Sequence, residues 1–349
     1  MPSGANIILD LNGKTIDRGL SSQRSNGSVI FVEGILRLID SGFDSKTIYD
    51  LTGLYDESTI HDITSGKIKG GNNSFGGGIE VIRGAFYMYG GAIYKNKATG
   101  GGGIFGSGSA TIHIYDGIIY NNMANSQGGG VYVMNHCKAY IHGGHIFGNR
   151  ANNEGGGIAS EVGDLEISGG KISYNTAKYN GGAIYLTDLN NDSQATTKID
   201  NCIITNNIVT GSGGAIYSDS SISLDGTEIR NNQSQKGSAI FIDHLSKITL
   251  KNSIIVDNVT DIAESYAIEL SEYRLTVKRS CYLIGNNVII TSNKNSQNKE
   301  RNINVDIDYC EMNLIEYAPN TRIGISLASG NQDFIRQQSA ENNEIMYYL

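Results

Sequence analysis

The sequence predicts an all-β protein, a single-stranded parallel β-helix of roughly ten to twelve coils, and three observations carry that prediction. Two short markers recur in fixed order along the chain. The residues between them alternate with the period-two pattern of strands. Glycine is plentiful and proline almost absent, 45 against 2 in 349 residues. That balance suits a chain with many tight corners whose strands need every N–H for pairing.

The first marker, Gly-Gly-(Gly/Ala)-(Ile/Val), places its apolar residue at Ile79, Ile104, Val131, Ile158, Ile184, Ile216 and Ile240, with a worn copy at Ile268. The second, Ile-x-x-Asn, follows each in turn, from Ile93/Asn96 to Ile255/Asn258 and on to Ile284/Asn287. The asparagines are Asn96, Asn122, Asn149, Asn175, Asn207, Asn232, Asn258 and Asn287, most of them 25 to 27 residues apart. A leucine-rich repeat of similar period would show a Leu and Asn spacing that is missing, and no segment has helical periodicity. Ala110–Tyr115 and Asp164–Ser168 alternate instead, bounded by Gly, Asn and Asp. One coil per ~26 residues, stacked at the ~4.8 Å spacing of sheets, accounts for the pattern.

Each marker has a physical role in such a coil. Gly-Gly supplies positive φ at a corner where a side chain would clash. Asparagine tolerates the left-handed region and bonds turn backbone, so stacked copies are expected to form a ladder along the helix axis. The isoleucines of both markers should point inward and make a continuous core. The coil is right-handed by the usual hand of parallel crossovers.

The whole chain, 1–349, reads as one β-helix domain. Residues 1–75 are N-terminal capping coils with an acidic loop, in which Asn6–Ile16 reads as strand, Asn-Gly turn, strand. Residues 76–287 are the regular coils, and 288–349 the C-terminal coils and cap.

Several function classes recede on composition. The net charge is −8, which disfavours a general affinity for nucleic acid or anionic membranes. No run approaches the ~18 apolar residues of a spanning helix, so no membrane insertion is expected. The first residues, Met1–Asn6, have neither a basic nor an apolar leader region, so no signal peptide is expected. Cys137, Cys202, Cys281 and Cys310 lack metal spacing and read as buried thiols.

The paired markers resemble the GGAI/FxxN repeat of polymorphic outer-membrane proteins and autotransporter passengers. They are closer still to adhesin-like right-handed β-helix surface proteins of Gram-positive bacteria and gut archaea. The leader Leu9–Ile16, the coil opening Gly70–Ile79 and the closing Asn320–Ile325 resemble theirs as well. The resemblance spans roughly residues 6–328. It implies an extracellular or cell-surface location, with a virion component as the alternative. It says little about activity, because such solenoids serve adhesins, lyases and phage spikes alike.

Catalytic machinery is not recognisable. The strand-borne acids scatter, and the nearest stacked couple is Asp200 with Asp225; no Asp-Asp pair or lyase-type Arg motif accompanies them. His136, His142 and His145 share one coil and His113 lies in the one before, without the support a metal site needs. Asp188–Asp192 echoes the opening of a calcium loop, but Ser193 and Ile199 stand where Gly and Glu belong. No catalytic residue, metal or cofactor is therefore assigned. The suggestive side chains are aromatic. The residue after the Gly-Gly marker should face out, giving Tyr132, Tyr185, Tyr217 and Phe241, and the one before the ladder Asn gives Tyr94, Tyr120 and Phe147.

These residues point to a non-catalytic, adhesin-like or structural β-helix whose outward ladders meet a glycan or a cell-surface protein. The alternatives are a polysaccharide-processing enzyme, glycosidase or lyase, and a phage receptor-binding spike, which would be a trimer. The sequence leaves the oligomeric state open.

Overall fold

The computed structural model describes residues 1–42, 65–188, 196–243, 248–260, 262, 265 and 267–270. Beyond these it gives the backbone of strands Arg279–Ile284, Ile289–Thr291, Ile303–Val305, Cys310–Ile315, Arg322–Ile323, Ile325–Leu327 and Ile335–Gln338. The fold is a parallel β-solenoid of about nine turns, with no helix among the described residues. Two compact units are distinguished: residues 1–165 with 173–175, and residues 166–172 with 176–349.

A coil has four strands, as in Ile104–Ser107, Thr111–Ile114, Ile118–Tyr120 and Met123–Ala124. We call these its first to fourth faces. The Gly-Gly marker opens the first face, the alternating segment forms the second, and Ile-x-x-Asn closes the third. In the first unit, Ile79, Ile104, Val131 and Ile158 stand side by side on the first face. Ile68, Ile93, Ile119 and Ile146 do the same on the third. In the second unit the columns are Ile184, Ile216, Ile240 and Ile268, and Ile204, Ile229 and Ile255. All of these side chains are fully buried. The spacing of the markers is thus the register of the stack, and one slipped residue would turn every core isoleucine to the outside.

One local reading holds and one changes. Asn6–Asp10 and Thr15–Asp17 are the strands on either side of the Asn-Gly turn, and they pair with Ile35–Ile39 on the second face and Lys67–Lys69 on the third. Asn12 and Gly13, with φ of 43° and 71°, turn the coil corner between them. Toward the C-terminus, Ile290 and not Ile284 stands beside Ile255. Ile284 ends a second-face strand next to Lys251. A run with isoleucines at 284, 289 and 290 offers two registers, and spacing alone does not choose between them. Asn287 lies outside the described residues, as do 43–62 of the acidic loop at 40–62 and 189–192 of the calcium-like stretch.

The asparagines form a buried amide ladder. In the first unit, Oδ1 of Asn122 accepts from both the backbone N (3.0 Å) and Nδ2 (3.1 Å) of Asn96. Asn149 receives Asn122 in the same way (3.0 and 3.1 Å), and Asn175 receives Asn149 (both 3.0 Å). The other N–H of each side chain donates to the preceding coil: Asn96 to Ile68 O, Asn122 to Ile93 O, Asn149 to Ile119 O. In the second unit Asn207, Asn232 and Asn258 repeat the arrangement, with amide contacts of 2.9 and 3.0 Å. The corner residue before each asparagine has positive φ, as at Lys95, Asn121, Asn206, Asn231 and Asp257. Only a side chain with both an acceptor and two donors satisfies this site, which excludes Asp and the apolar residues.

Asn122→Ala leaves the N–H of Asn96 and the carbonyl of Ile93 buried without that partner. It is expected to cost about 2–4 kcal/mol, read as a lower urea midpoint. Asn125→Ala, on the exposed side of the same coil, is expected to stay within about 0.5 kcal/mol of the parent.

Candidate functional site

Strand alternation sends every second side chain outward, but outward is not the same as exposed. Tyr132 and Phe241 point away from the core on the first face and are nevertheless buried. One contributor is the corner at the marker's first glycine. Gly128 and Gly237 have φ of 65° and 56°, and a Cβ on either would lie 2.6 or 2.9 Å from the Cβ of Tyr132 or Phe241. The corner folds back so sharply that the outward ring lies over its own glycine. Tyr185 and Tyr217 are half-buried and stack at 5.4 Å, and Tyr217 stacks on Phe241 at 5.5 Å. The Tyr217 hydroxyl donates to Asp243 at 2.7 Å; burial first, and that carboxylate second, hold its phenol above the ordinary range.

On the third face Tyr94, Tyr120 and Phe147 stack at 4.2 and 5.2 Å and close into an apolar cluster with Ala92 and Ile118. Tyr120 is 1% exposed, and burial pushes its phenol up. Rings enclosed like these stabilise the coil, but Tyr94, Tyr120, Phe147, Tyr132 and Phe241 have little surface to offer a ligand.

The exposed aromatic surface is on the second face of the first unit. Tyr87, His113 and Tyr140 are partners on adjacent strands. Their ring centroids are 4.9 and 4.7 Å apart and their planes within 14°. Two residues on, Tyr89, Tyr115 and His142 form a second column, with spacings of 4.8 and 4.6 Å. The columns run side by side, 6.5, 6.0 and 6.2 Å apart at the three levels. Six near-parallel rings thus make a grid three coils long and two rings wide. A centroid spacing near 4.8 Å exceeds the ~3.5 Å contact distance of carbon atoms, so the rings overlap with an offset, like shingles. The second column is the more exposed, with Tyr89 and Tyr115 at 42% and 40%, and Tyr87, His113 and Tyr140 in the first are half-buried.

Beyond the second column the chain turns at glycines, and a Cβ on Gly143 would lie 2.4 Å from the carbonyl oxygen of Tyr115. At the N-terminal end Arg37 lies over Tyr87, 5.4 Å from the ring centre, and bonds the side chain of Asn6. Within the grid, His113 Nδ1 and His142 Nε2 are 3.4 Å apart. Burial and the neighbouring imidazole lower the His113 pKa. Among the described residues no three metal-capable side chains converge.

The acids are arranged for structure. Asp200 and Asp225 are paired on the second face of the second unit, and burial with the Asp225 charge raises Asp200. Asp225 is itself held by Lys251 at 3.1 Å and by Asn252 at 3.0 Å. A further acidic couple that the sequence did not suggest lies at Glu154 and Glu161. The Tyr132 hydroxyl (2.7 Å) and the Gln127 amide both donate to Glu161. Burial, then the Glu161 charge, push Glu154 above the usual range. Cys137 and Cys202 are buried free thiols pushed up to about 12.

Two of the coils also have a family signature. Residues 171–187 and 201–219 match the Chlamydia polymorphic membrane protein (Chlamydia_PMP) repeat. Both stretches run from an Ile-x-x-Asn, at Ile172/Asn175 and Ile204/Asn207, through the next Gly-Gly-Ala-Ile. The PMP-type repeat therefore coincides with the part of the coil between the amide ladder and the glycine corner. The chain is similar to that repeat family in sequence, and its parallel β-solenoid agrees. No curated protein and no solved structure matches it significantly.

The raised Glu154 pKa means that the folded state holds its proton to higher pH than the unfolded chain does. Stability contributed there falls as pH rises from about 4.5 through the folded value. Glu154→Gln is therefore expected to raise the unfolding temperature at pH 7 by on the order of 1 °C and to leave it unchanged at pH 4. An equal shift at both pH values in a thermal scan would contradict this account.

Proposed function

We propose that this chain is a non-catalytic, surface-displayed adhesin-like β-helix that binds glycan through the second face of its first unit. The PMP-type repeat and the solenoid fit a surface adhesin-like protein. Proteins named for that repeat are membrane proteins, which supports an outer-membrane or extracellular location. No helix among the described residues is long and apolar enough to cross a membrane.

The partly exposed grid of Tyr87, Tyr89, His113, Tyr115, Tyr140 and His142 carries the glycan reading. Sugars have apolar C–H faces edged by hydroxyls, and shingled phenols and imidazoles offer the complement, an apolar body with a polar tip. A flat surface of this kind suits a chain laid along it better than a small molecule, which would want a cavity. Exposed apolar patches on a soluble face are characteristic of interaction sites.

The direct test is binding of the purified chain to a glycan array. Tyr115→Ala/Tyr140→Ala is expected to weaken the bound glycans about tenfold or more, since each ring contact contributes roughly 0.5–1.5 kcal/mol. Tyr120→Ala is expected to destabilise the fold by about 3–5 kcal/mol without changing which glycans bind. Undiminished binding by the Tyr115/Tyr140 variant would remove this face as the site.

A further inference from the structure

Among the described residues, tyrosines of adjacent coils stack on one another at three places, and the three pairs differ in what oxidation can do to them. Tyr94 and Tyr120 are 4.2 Å apart on the third face, Tyr185 and Tyr217 5.4 Å apart on the first, and Tyr89 and Tyr115 4.8 Å apart on the second. A phenol that loses one electron and one proton becomes a phenoxyl radical. Two such radicals join through the ring carbons beside the C–OH carbons, and each joined carbon passes its hydrogen to its own oxygen. The product is dityrosine, with one new C–C bond and both hydroxyls restored. Two hydrogen atoms are lost in all, and one hydrogen peroxide, spent through a peroxidase, takes them up as two waters.

Tyr89 and Tyr115 meet the requirements of that reaction. They lie one residue beyond Met88 and Ile114, which are partners on adjacent strands, and the Tyr115 N–H donates to the Met88 carbonyl at 2.8 Å. The two side chains therefore leave the backbone one strand spacing apart, ~4.8 Å. Their ring planes are within 2° of parallel, and at 42% and 40% exposure both are open to an oxidant in solution. Exposed side chains change rotamer quickly, so the rings can turn from face contact to the edge contact that the new bond needs. Holding both reactants on one stack also makes the coupling intramolecular, which favours it over the joining of two chains.

The other pairs each lack a requirement. Tyr94 and Tyr120 stack more closely, but they are 8% and 1% exposed, and burial makes the Tyr120 proton hard to remove. Tyr217 is half-buried and tied at its tip to Asp243, which holds its ring in the stacked position. Within the grid, Tyr87 and Tyr140 each stack on His113, which stands between them. They are two strand spacings apart, about 10 Å, too far for a direct bond.

We propose that Tyr89 and Tyr115 are a modification site, coupled by a peroxidase-type oxidant into a dityrosine that staples two coils of the first unit. The staple closes a loop of chain between those coils, so, as a disulfide does, it takes freedom from the unfolded chain. It does not depend on what the second face binds.

The test treats the purified, dilute chain with a haem peroxidase and limiting hydrogen peroxide, then digests it and sequences any joined peptides by fragmentation. A free tyrosine derivative in a parallel reaction shows that the oxidant is active. The major tyrosine product is expected to join Tyr89 to Tyr115 within one chain, two hydrogen atoms lighter than its parts and with the blue fluorescence of a biphenol. The unfolding midpoint of the treated chain is expected to rise by several degrees. Tyr115→Phe keeps a stacked ring that cannot form the radical, and is expected to remove both the product and the shift. Tyr120→Phe is expected to keep both. Coupling only between chains, a major product at Tyr94–Tyr120 or Tyr185–Tyr217, or no joined peptide while the free derivative couples would each overturn the assignment. A Tyr89–Tyr115 product that leaves the midpoint unchanged overturns the staple.

Discussion

The structure depends on register, and register is held by buried amides. A parallel coil has no hairpin to fix how it sits on the one before it, and strands of two to six residues give few backbone bonds apiece. The ladder of Asn96, Asn122, Asn149 and Asn175, and that of Asn207, Asn232 and Asn258, supply the missing constraint. Each amide is buried, and Asn96, Asn122, Asn149 and Asn232 use the acceptor and both donors, so a coil displaced by one residue would leave several polar groups unsatisfied away from water. That penalty is larger than the net gain of the bonds when made, which is why the ladder specifies the stack more than it strengthens it. The isoleucine columns then supply apolar burial, at positions the ladder has already chosen.

In-register stacking has a second effect, on the outside. When equivalent residues of successive coils stand ~4.8 Å apart, any side chain repeated at one position becomes a column, and planar side chains stack. The grid of phenols and imidazoles on the second face is a direct product of the amide ladder on the corner after the third. Accessibility differs between faces: Tyr132 and Phe241 on the first and Tyr94, Tyr120 and Phe147 on the third are buried, while Tyr89 and Tyr115 on the second are exposed.

The fold was legible because its determinants are local and periodic. Two markers in fixed order name the corners, the core columns and the ladder, and the structure uses them so throughout the regular coils. The reading slipped where periodicity became ambiguous, at Ile284 and Ile290, since two nearby isoleucines fit one spacing and only pairing separates them. The candidate site was less legible. Alternation gives the direction of a side chain but not how neighbouring rings and corners pack over it, and Tyr94, Tyr120, Phe147, Tyr132 and Phe241 are enclosed rings and not open surface. The second-face grid did leave a trace. Counted back from the isoleucine of Ile-x-x-Asn, Tyr87, His113 and Tyr140 lie six residues before Ile93, Ile119 and Ile146, and Tyr89, Tyr115 and His142 lie four before. Counted forward from the Gly-Gly marker the alignment blurs, because the first corner varies by a residue between coils.

The same count separates what the repeat must keep from what it is free to change. In three coils of the first unit the positions six and four before the isoleucine hold tyrosine or histidine. In the second unit they are Glu166 and Ser168, Lys198 and Asp200, Ser223 and Asp225, and Thr249 and Lys251. The ladder and the core columns are alike in both units while the outward chemistry goes from aromatic to charged and hydroxyl side chains. The asparagine and isoleucine positions are buried and bonded on every side, so substitution there is costly; the outward positions of the second face meet water and each other, and a change there leaves the register intact. A solenoid of this kind can therefore acquire a binding surface one column at a time, since the interactions that hold the coils lie on a different wall from the side chains that would meet a ligand.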